Sequence, residues 1–272
     1  MGFVRREHKV SERQACDMFN LSRSVARYRP HPRDDQAIID VLLALVHRHP
    51  ELGFGQLYKR IRRMGHRWNH KRIYRVYCAL KLNKRRRGKK RLPTRHPLPL
   101  AVSEAVNACW SADFMADALW NGRRFRTFNV VDDFNREALA IEVDFSLPAR
   151  RVIETLDRLA DWRGYPQKLR LDNGPEFVAV EMAQWAEEHN VQLEFIKPGR
   201  PMQNGYIERF NRTYREAVLD MYVFNRLDEV REHTEQWLKE YNEDRPHESL
   251  GDLTPREYLF HHHPEVSSLG WY

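Results

Sequence analysis

The stretch from Leu169 to Leu219 constrains this chain more than any other. It opens with a short apolar run that ends in an acid, Leu169-Arg170-Leu171-Asp172-Asn173-Gly174, and continues through a helix-plus-strand passage, Pro175 to Ile196. It closes on a helix that opens at Asn204-Gly205 and carries Glu208. The 35 residues between the two acids leave room for one helix and one strand, so the chain can return and set Glu208 beside Asp172. A third acid is expected on a neighbouring strand, and Asp113 in Trp110-Ser111-Ala112-Asp113-Phe114 is placed for it. Such a set suits phosphoryl transfer on a nucleic-acid backbone, where two metal ions roughly 3.5–4 Å apart serve the attacking and leaving oxygens. Hard divalent cations take oxygen ligands, and clustered carboxylates repel one another until cations arrive. The expected cofactor is Mg²⁺ or Mn²⁺, two ions per site.

Charge divides the 272-residue chain. Residues 1–100 hold 26 Lys and Arg against 7 Asp and Glu, a net of +19 in a chain whose total is +8, so the remainder stands at −11. One end is built to meet a polyanion and the other carries the acids. Cys16, Cys78 and Cys109 are scattered and odd in number, and read as free thiols of a cytosolic protein. No apolar run approaches membrane-spanning length, and no signal peptide is expected. A cytoplasmic, nucleoid-associated location is expected.

The basic half reads as helical. Ser11 and Ser22 are placed to cap two short helices between Ser11 and Tyr28, with Ala15, Met18, Leu21, Val25 and Tyr28 as a shared apolar face. Ala37 to His47 follows at helical spacing. Gln56 to Met64 then makes a helix, Gly65-His66-Arg67-Trp68 a turn, and Asn69 caps a second helix to Leu80. Ile73, Val76, Tyr77 and Leu80 face a core while His70, Lys71, Arg72 and Arg75 face out. A basic helix after a tight turn is what enters a DNA major groove, although a plain helical hairpin has the same pattern. His66, His70 and Cys78 lack the second close cysteine that a zinc finger needs. Lys84, Arg85, Arg86, Arg87, Lys89, Lys90 and Arg91 belong to a basic linker that follows a phosphate backbone by charge.

From Ala105 strands appear: Cys109 to Leu119, Phe125 to Asp132 and Arg136 to Val143 form an antiparallel meander. Pro148 to Trp162 is a helix, Lys168 to Leu171 a strand, Val178 to His189 a helix, Val191 to Ile196 a strand, and the Gly205 helix completes the set. In that last helix Ile207, Phe210, Tyr214, Ala217 and Val218 pack on the sheet. Asn204, Glu208, Asn211, Arg212 and Arg215 share another stripe. Arg215 there can hold a phosphate or pair with Glu208 or Glu216, and Asn204 can cap the helix.

Trp110-Ser111-Ala112-Asp113, Leu171-Asp172-Asn173-Gly174-Pro175-Glu176-Phe177 and the run from Pro198 to Asn211 together resemble the Asp-Asp-Glu core of bacterial insertion-sequence transposases. The closest group is the retroviral-integrase-like family encoded in two overlapping frames. Tyr241-Asn242, Arg245-Pro246-His247, Leu250 and Thr254-Pro255 resemble its carboxy-terminal signature, and the helices around Gly65 its second helix-turn-helix. The resemblance implies an α/β, ribonuclease-H-like integrase core, a mixed five-stranded sheet with flanking helices, preceded by small helix-turn-helix units. The expected divisions are residues 1–32, a short helical segment; 33–80, helix-turn-helix; 81–104, basic linker; 105–222, catalytic core; and 223–272, a carboxy-terminal helix and tail on the core. Asp113, Asp172 and Glu208 would be the catalytic metal ligands. Lys71, Arg72, Arg75, the linker cations, Arg212 and Arg215 would contact DNA. The reaction would be cleavage at element ends by water, then attack of the freed 3′-hydroxyl on target DNA. Partners would be double-stranded DNA (terminal inverted repeats and target), further copies of the chain as a homo-oligomer, and the first-frame product. No sustained heptad is present, so the chain reads as the second-frame part alone.

Two rival readings share parts of this pattern. A domesticated, non-catalytic DNA-binding regulator would use only the basic half and predicts a degraded acid set. An RNA-directed ribonuclease would lack the paired helices and linker. Among the other acids, Asp132 and Asp133 read as turn acids that cap backbone N–H groups, and Glu176 is a weaker metal candidate. His247 reads as a packing or capping residue, and His261, His262 and His263 carry no assigned role.

Overall fold

A computed structural model describes residues 2–29, 34–84, 103–174, 176–197 and 204–264. The chain divides into two compact units, residues 1–41 and 42–272.

In the first unit α1 (Gly2–Glu7), α2 (Glu12–Met18) and α3 (Arg23–Arg27) are short. Ser11 accepts from Gln14 N and the Gln14 side chain answers the Ser11 N–H, while Ser22 accepts from Val25 N. Arg27 grips Glu12 through two hydrogen bonds of 2.8 Å. The expected apolar face does not close. Ala15 is buried, with Cys16, but Met18, Leu21, Val25 and Tyr28 are exposed. Helices of one or two turns point such positions apart instead of along one stripe.

The second unit begins within α4 (Gln36–Arg48). Then come α5 (Phe54–Arg63) and α6 (His70–Ala79), joined by a turn in which Gly65 takes φ 89°, a conformation open to glycine. Asn69 caps α6 by accepting from Lys71 N at 2.8 Å. Leu57, Ile61, Ile73, Val76 and Tyr77 are buried between the helices, while His70, Lys71, Arg72 and Arg75 are exposed. Of the linker cations, Lys84 donates to the Glu51 carbonyl. Arg85, Arg86, Arg87, Lys89, Lys90 and Arg91 lie outside the described residues.

Five strands follow: β1 (Trp110–Ala118), β2 (Arg124–Asp132), β3 (Ala138–Asp144), β4 (Lys168–Leu171) and β5 (Gln192–Phe195). Their order is β3-β2-β1-β4-β5, antiparallel through β3, β2 and β1 and parallel from β1 through β4 to β5. The β3 strand starts at Ala138, not at Arg136, because Arg136 takes φ 60° and the β2–β3 register shifts at Val130/Val131.

Alternation sorts the sheet faces. Trp110, Ala112, Phe128, Val130, Leu169 and Leu171 pack against α7 (Ala149–Arg163) and α8 (Val180–Glu188). Met115, Phe125, Val131 and Val143 face α9 (Gly205–Tyr214) and α10 (Leu227–Glu243) through Ile207, Phe210, Tyr214 and Val230. After Tyr214 the α9 helix widens into a π turn, Arg215–Leu219. A last helix, α11 (Pro255–His262), opens on a capping box between Thr254 and Glu257.

The carboxy-terminal run is structural in large part. Tyr241 is buried against Phe210, and Asn242 both accepts from Ala138 N and donates to Ala138 O at 2.9 Å, clasping the start of β3. It also receives the helix pair. Arg60 and His49 both reach Glu240 at 3.2 Å, and Arg63 grips Glu257 at 2.6 and 2.8 Å. Burial, with Arg60 and Arg48 nearby, pushes His49 down to about 4, so the imidazole meets Glu240 as a neutral donor. Among the described residues no helix is long and apolar enough to cross a membrane.

Candidate active site

Sheet register brings the first two acids together. Ser111 on β1 is level with Arg170 on β4 in a parallel pair. Two residues further on, Asp113 stands within β1 and Asp172 just past the end of β4, close enough for the charge of Asp172 to act on Asp113; the carboxyl end of a parallel strand such as β4 is where open α/β sheets place their ligands. Asp113 lies on the face that α9 covers and sits directly across from Asn129. Ile207, Phe210 and Tyr214 bury one side of α9, which leaves Glu208 exposed on another.

A chain of amides ties α9 to Asp113. Asn129 Nδ2 donates to Asn211 Oδ1 at 2.7 Å, and Asn211 Nδ2 donates to Asp113 Oδ2 at 2.8 Å. The other oxygen of Asp113 accepts its neighbour's Phe114 N–H at 2.8 Å. Asn129 is fully buried and Asn211 nearly so. Asp172 is held by its own loop, where Oδ1 accepts from Gly174 N at 2.9 Å. A Cβ built on Gly174 would meet that same oxygen at 2.9 Å, so a side chain there would push the Asp172 carboxylate from its place.

Burial pushes the Asp113 carboxyl up to about 6, and the charges of Asp172 and Glu208 push the same way, against the hydrogen bonds from Phe114 and Asn211. Asp113 therefore senses both of the other acids. Among the described residues no three His, Cys, Asp or Glu form a group that could hold an ion at once, so the trio is open rather than a closed cage. Its donors fit hard cations in kind, being all carboxylate.

Asn211 acts through Asp113, so its loss should be felt as misplacement. Asn211→Ala is expected to lower cleavage about 10–100-fold while duplex binding holds, and Asn211→Asp, which sets a like charge beside Asp113, to cost more. Single-turnover cleavage against binding affinity measures this; equal rates for Asn211→Ala and the unaltered chain would remove the positioning role.

The neighbouring acids are engaged elsewhere. Asp132 is fully buried, accepts the N–H groups of Phe134 and Asn107, and pairs with Arg163 at 2.9 Å. Asp133 accepts from Ser111 Oγ at 2.7 Å and from Arg170 at 2.6 Å. Glu176 pairs with Arg126, whose guanidinium lies over Phe114. Asn204 makes no side-chain cap bond, and its Oδ1 is buried without a partner. Arg215 pairs with Asp117 at 2.9 Å and donates to the Ala116 carbonyl, not with Glu208 or Glu216. The π turn starts at that residue and turns it towards the end of β1. Arg212 is exposed.

In the sequence Asn211 shares the Glu208 stripe with no partner indicated, and Asn129 is one residue of a strand. The signal for Asn129 is a polar residue set between Phe128 and the Val130-Val131 pair of β2.

Comparison with known proteins agrees with the architecture. Residues 103–201 and 189–255 match the integrase core domain, and residues 33–90 match an HTH-like domain. A protein of insertion element IS407 from Burkholderia multivorans is 40% identical over 263 residues, 96% of this chain and 95% of that one. A protein of insertion element IS476 from Xanthomonas euvesicatoria is 38% identical over 250 residues, 92% of this chain and 72% of that one. A simian T-cell lymphotropic virus intasome structure superposes over 83% of this chain and 76% of its own at a TM-score of 0.53 and 16% identity, a likeness of fold. Sheet, helices and matched domains define a polynucleotidyl transferase on an integrase core. The chain belongs to the bacterial insertion-element transposases of the Asp-Asp-Glu type. Proteins of the integrase family are metal-dependent and act on DNA.

Proposed function

We propose that Asp113, Asp172 and Glu208 are the catalytic acids and that they hold two Mg²⁺ or Mn²⁺ ions while DNA is cut and joined. The observation that carries this reading is the convergence of three elements: Asp113 on β1 feels the charges of Asp172, just past β4, and of Glu208 on α9, a helix tied to Asp113 by Asn211. When bound, the ions would polarise the scissile phosphate and favour the deprotonated attacking oxygen.

The protein's own groups do the positioning. Asn211 fixes one oxygen of Asp113 and Gly174 N one oxygen of Asp172, so both carboxylates meet the ions with little rotamer entropy to lose. In the first step the water oxygen bonds to phosphorus as the P–O3′ bond breaks, freeing a 3′-hydroxyl at the element end. In the second that 3′-hydroxyl attacks a target phosphodiester, and a target 3′-oxygen leaves. No bond forms between protein and DNA.

The partners are double-stranded DNA as terminal inverted repeats and as target, further copies of this chain, and the first-frame product of the same element. Exposed Lys71, Arg72 and Arg75 on α6 would lie along the duplex, with the basic linker and Arg212 adding backbone contacts. Arg215 is the weakest of the DNA-contact candidates, since Asp117 already takes its charge. Replacing Lys71, Arg72 and Arg75 by alanine in the full chain should flatten the plot of log affinity against log salt by roughly one unit per lost phosphate contact. An unaltered slope would take α6 off the DNA.

A labelled inverted-repeat end incubated with Mg²⁺ tests the reaction. Nicking that leaves a 3′-hydroxyl, followed by joining to a target duplex and blocked by chelator, is the expected result. Ends that bind but are never cut in Mg²⁺ or Mn²⁺, with or without the first-frame product, would support the regulator instead.

A further inference from the structure

The Arg245-Pro246-His247 run takes no part in the acid site, yet its surroundings are charged and enclosed. It lines a cleft of about 140 Å³ that Gln56 on α5, Arg136 between β2 and β3, and Arg209 on α9 also line. Three arginines line it with one carboxylate, the exposed Glu248, while Glu51 and Glu240 act on Arg245 from outside the lining. None of the three is ion-paired among the described residues. This contrasts with Arg60, Arg63, Arg126, Arg163 and Arg170, each of which has an acid partner.

Three buried side-chain atoms in the cleft lack partners: Arg136 Nη1, His247 Nε2 and Gln56 Oε1. The Arg136 guanidinium lies 3.5 Å from the centre of the Tyr206 ring, which fixes its plane. Its backbone is held at φ 60°, a costly conformation for a residue with a Cβ. Burial first, then Arg245, Arg209 and Arg136, push His247 down to about 3, so its imidazole is a neutral donor rather than a fourth cation.

Arg136 and Arg245 are half-buried with no ion pair of their own, and positive charge drawn out of water with so little counter-charge is costly. The missing partner is an anion with several acceptor oxygens, the geometry that forked guanidiniums match. We propose that this cleft is a phosphate site, separate from the three acids, and that it seats one backbone phosphate of duplex DNA. The phosphate chemistry stands on the cleft alone, while the choice of DNA rests on the transposase reading. DNA is favoured over a free anion because Arg209 directly follows Glu208 on α9 and Gln56 belongs to the helix pair, so the cleft lies between the two DNA-facing parts of this unit. A phosphate seated there would link the grip of the helix pair to the placement of the catalytic helix.

Two variants of the full chain test it. Arg136→Gly removes the guanidinium at a position glycine adopts freely, so the fold should hold. Arg209→Ala truncates an exposed side chain on α9. In metal-free buffer at fixed ionic strength, inorganic phosphate should raise the melting temperature of the unaltered chain more than chloride does. Each variant should weaken phosphate binding about tenfold. Equal responses from the unaltered chain and both variants would overturn the site. In a second arm, a duplex should compete with inorganic phosphate, and the double variant should lose roughly one unit of the salt slope. Loss of phosphate binding with an unaltered slope and no competition would overturn the DNA assignment. Neither arm depends on cleavage, so failure of the transposase chemistry would be seen separately.

Discussion

Asp113→Asn, Asp172→Asn and Glu208→Gln should each abolish Mg²⁺-dependent cleavage and strand transfer by several orders of magnitude while leaving duplex binding intact. Each change keeps shape and removes the charge that would hold the ions, which carry most of the barrier lowering. Binding of DNA should hold or tighten, because one negative charge facing phosphates is gone. Stability without metal adds a second signature. Asp113 is held near 6, above the ordinary 3.8, by burial and by Asp172 and Glu208. Between those values the folded chain binds more protons than the unfolded one, so stability falls as pH rises through that window. Asp113→Asn does not titrate, so its thermal stability should exceed that of the unaltered chain at pH 7–8, and the advantage should shrink towards pH 4. Cleavage assays paired with melts across pH measure both effects. Near-normal cleavage by any of the three variants would remove that residue from the site.

Arg163→Ala should cost roughly 3–5 kcal/mol, because it strips the partner from a buried carboxylate. The Arg163 side chain is 1% exposed and that of Asp132 0%. It donates to Asp132 at 2.9 Å, to Glu137 at 2.7 Å and to Asn107 at 3.1 Å. Burial works against the guanidinium charge, and Glu137 and Asp132 more than offset it. This cluster joins the end of α7 to the β2–β3 turn, so its loss should loosen the strand ends that precede the acids. Adding Asp132→Asn to Arg163→Ala should restore part of the stability, since it removes the unpaired buried charge and the one amide oxygen can still accept from either Phe134 or Asn107. Urea denaturation gives the numbers. A loss under about 1 kcal/mol would mean water reaches the cluster. Asp132→Asn alone should still cut DNA once folded, which separates a structural acid from the catalytic ones. A folded but inactive Asp132 or Asp133 variant would shift the active site along β1.

Much of the architecture was legible because it follows short-range rules. Alternation along Trp110–Ala118 and Arg124–Asp132 gave strands with two distinct faces, and helical spacing gave the buried side of α9. Ser11, Ser22 and Asn69 cap as their positions predict, because a cap needs only neighbours two or three residues away. The Arg245-Pro246-His247 run could be recognised as a motif, but its residues gave no hint of the cleft they share with Arg136 and Gln56.

What only the tertiary structure decided are the pairings between residues far apart in the chain. Asn211 meets Asp113 98 positions away, Arg60 meets Glu240 across 180, and Arg215 finds Asp117 instead of a helical neighbour. Ala15 is buried while Met18 and Tyr28, which share its expected stripe, are exposed. Periodicity fixes which side of an element is apolar, since that depends on the local geometry of helix and strand. Which polar group it meets depends on where other elements cross it, and side-chain hydrogen bonds form only where the folded chain sets a donor within about 3 Å of an acceptor.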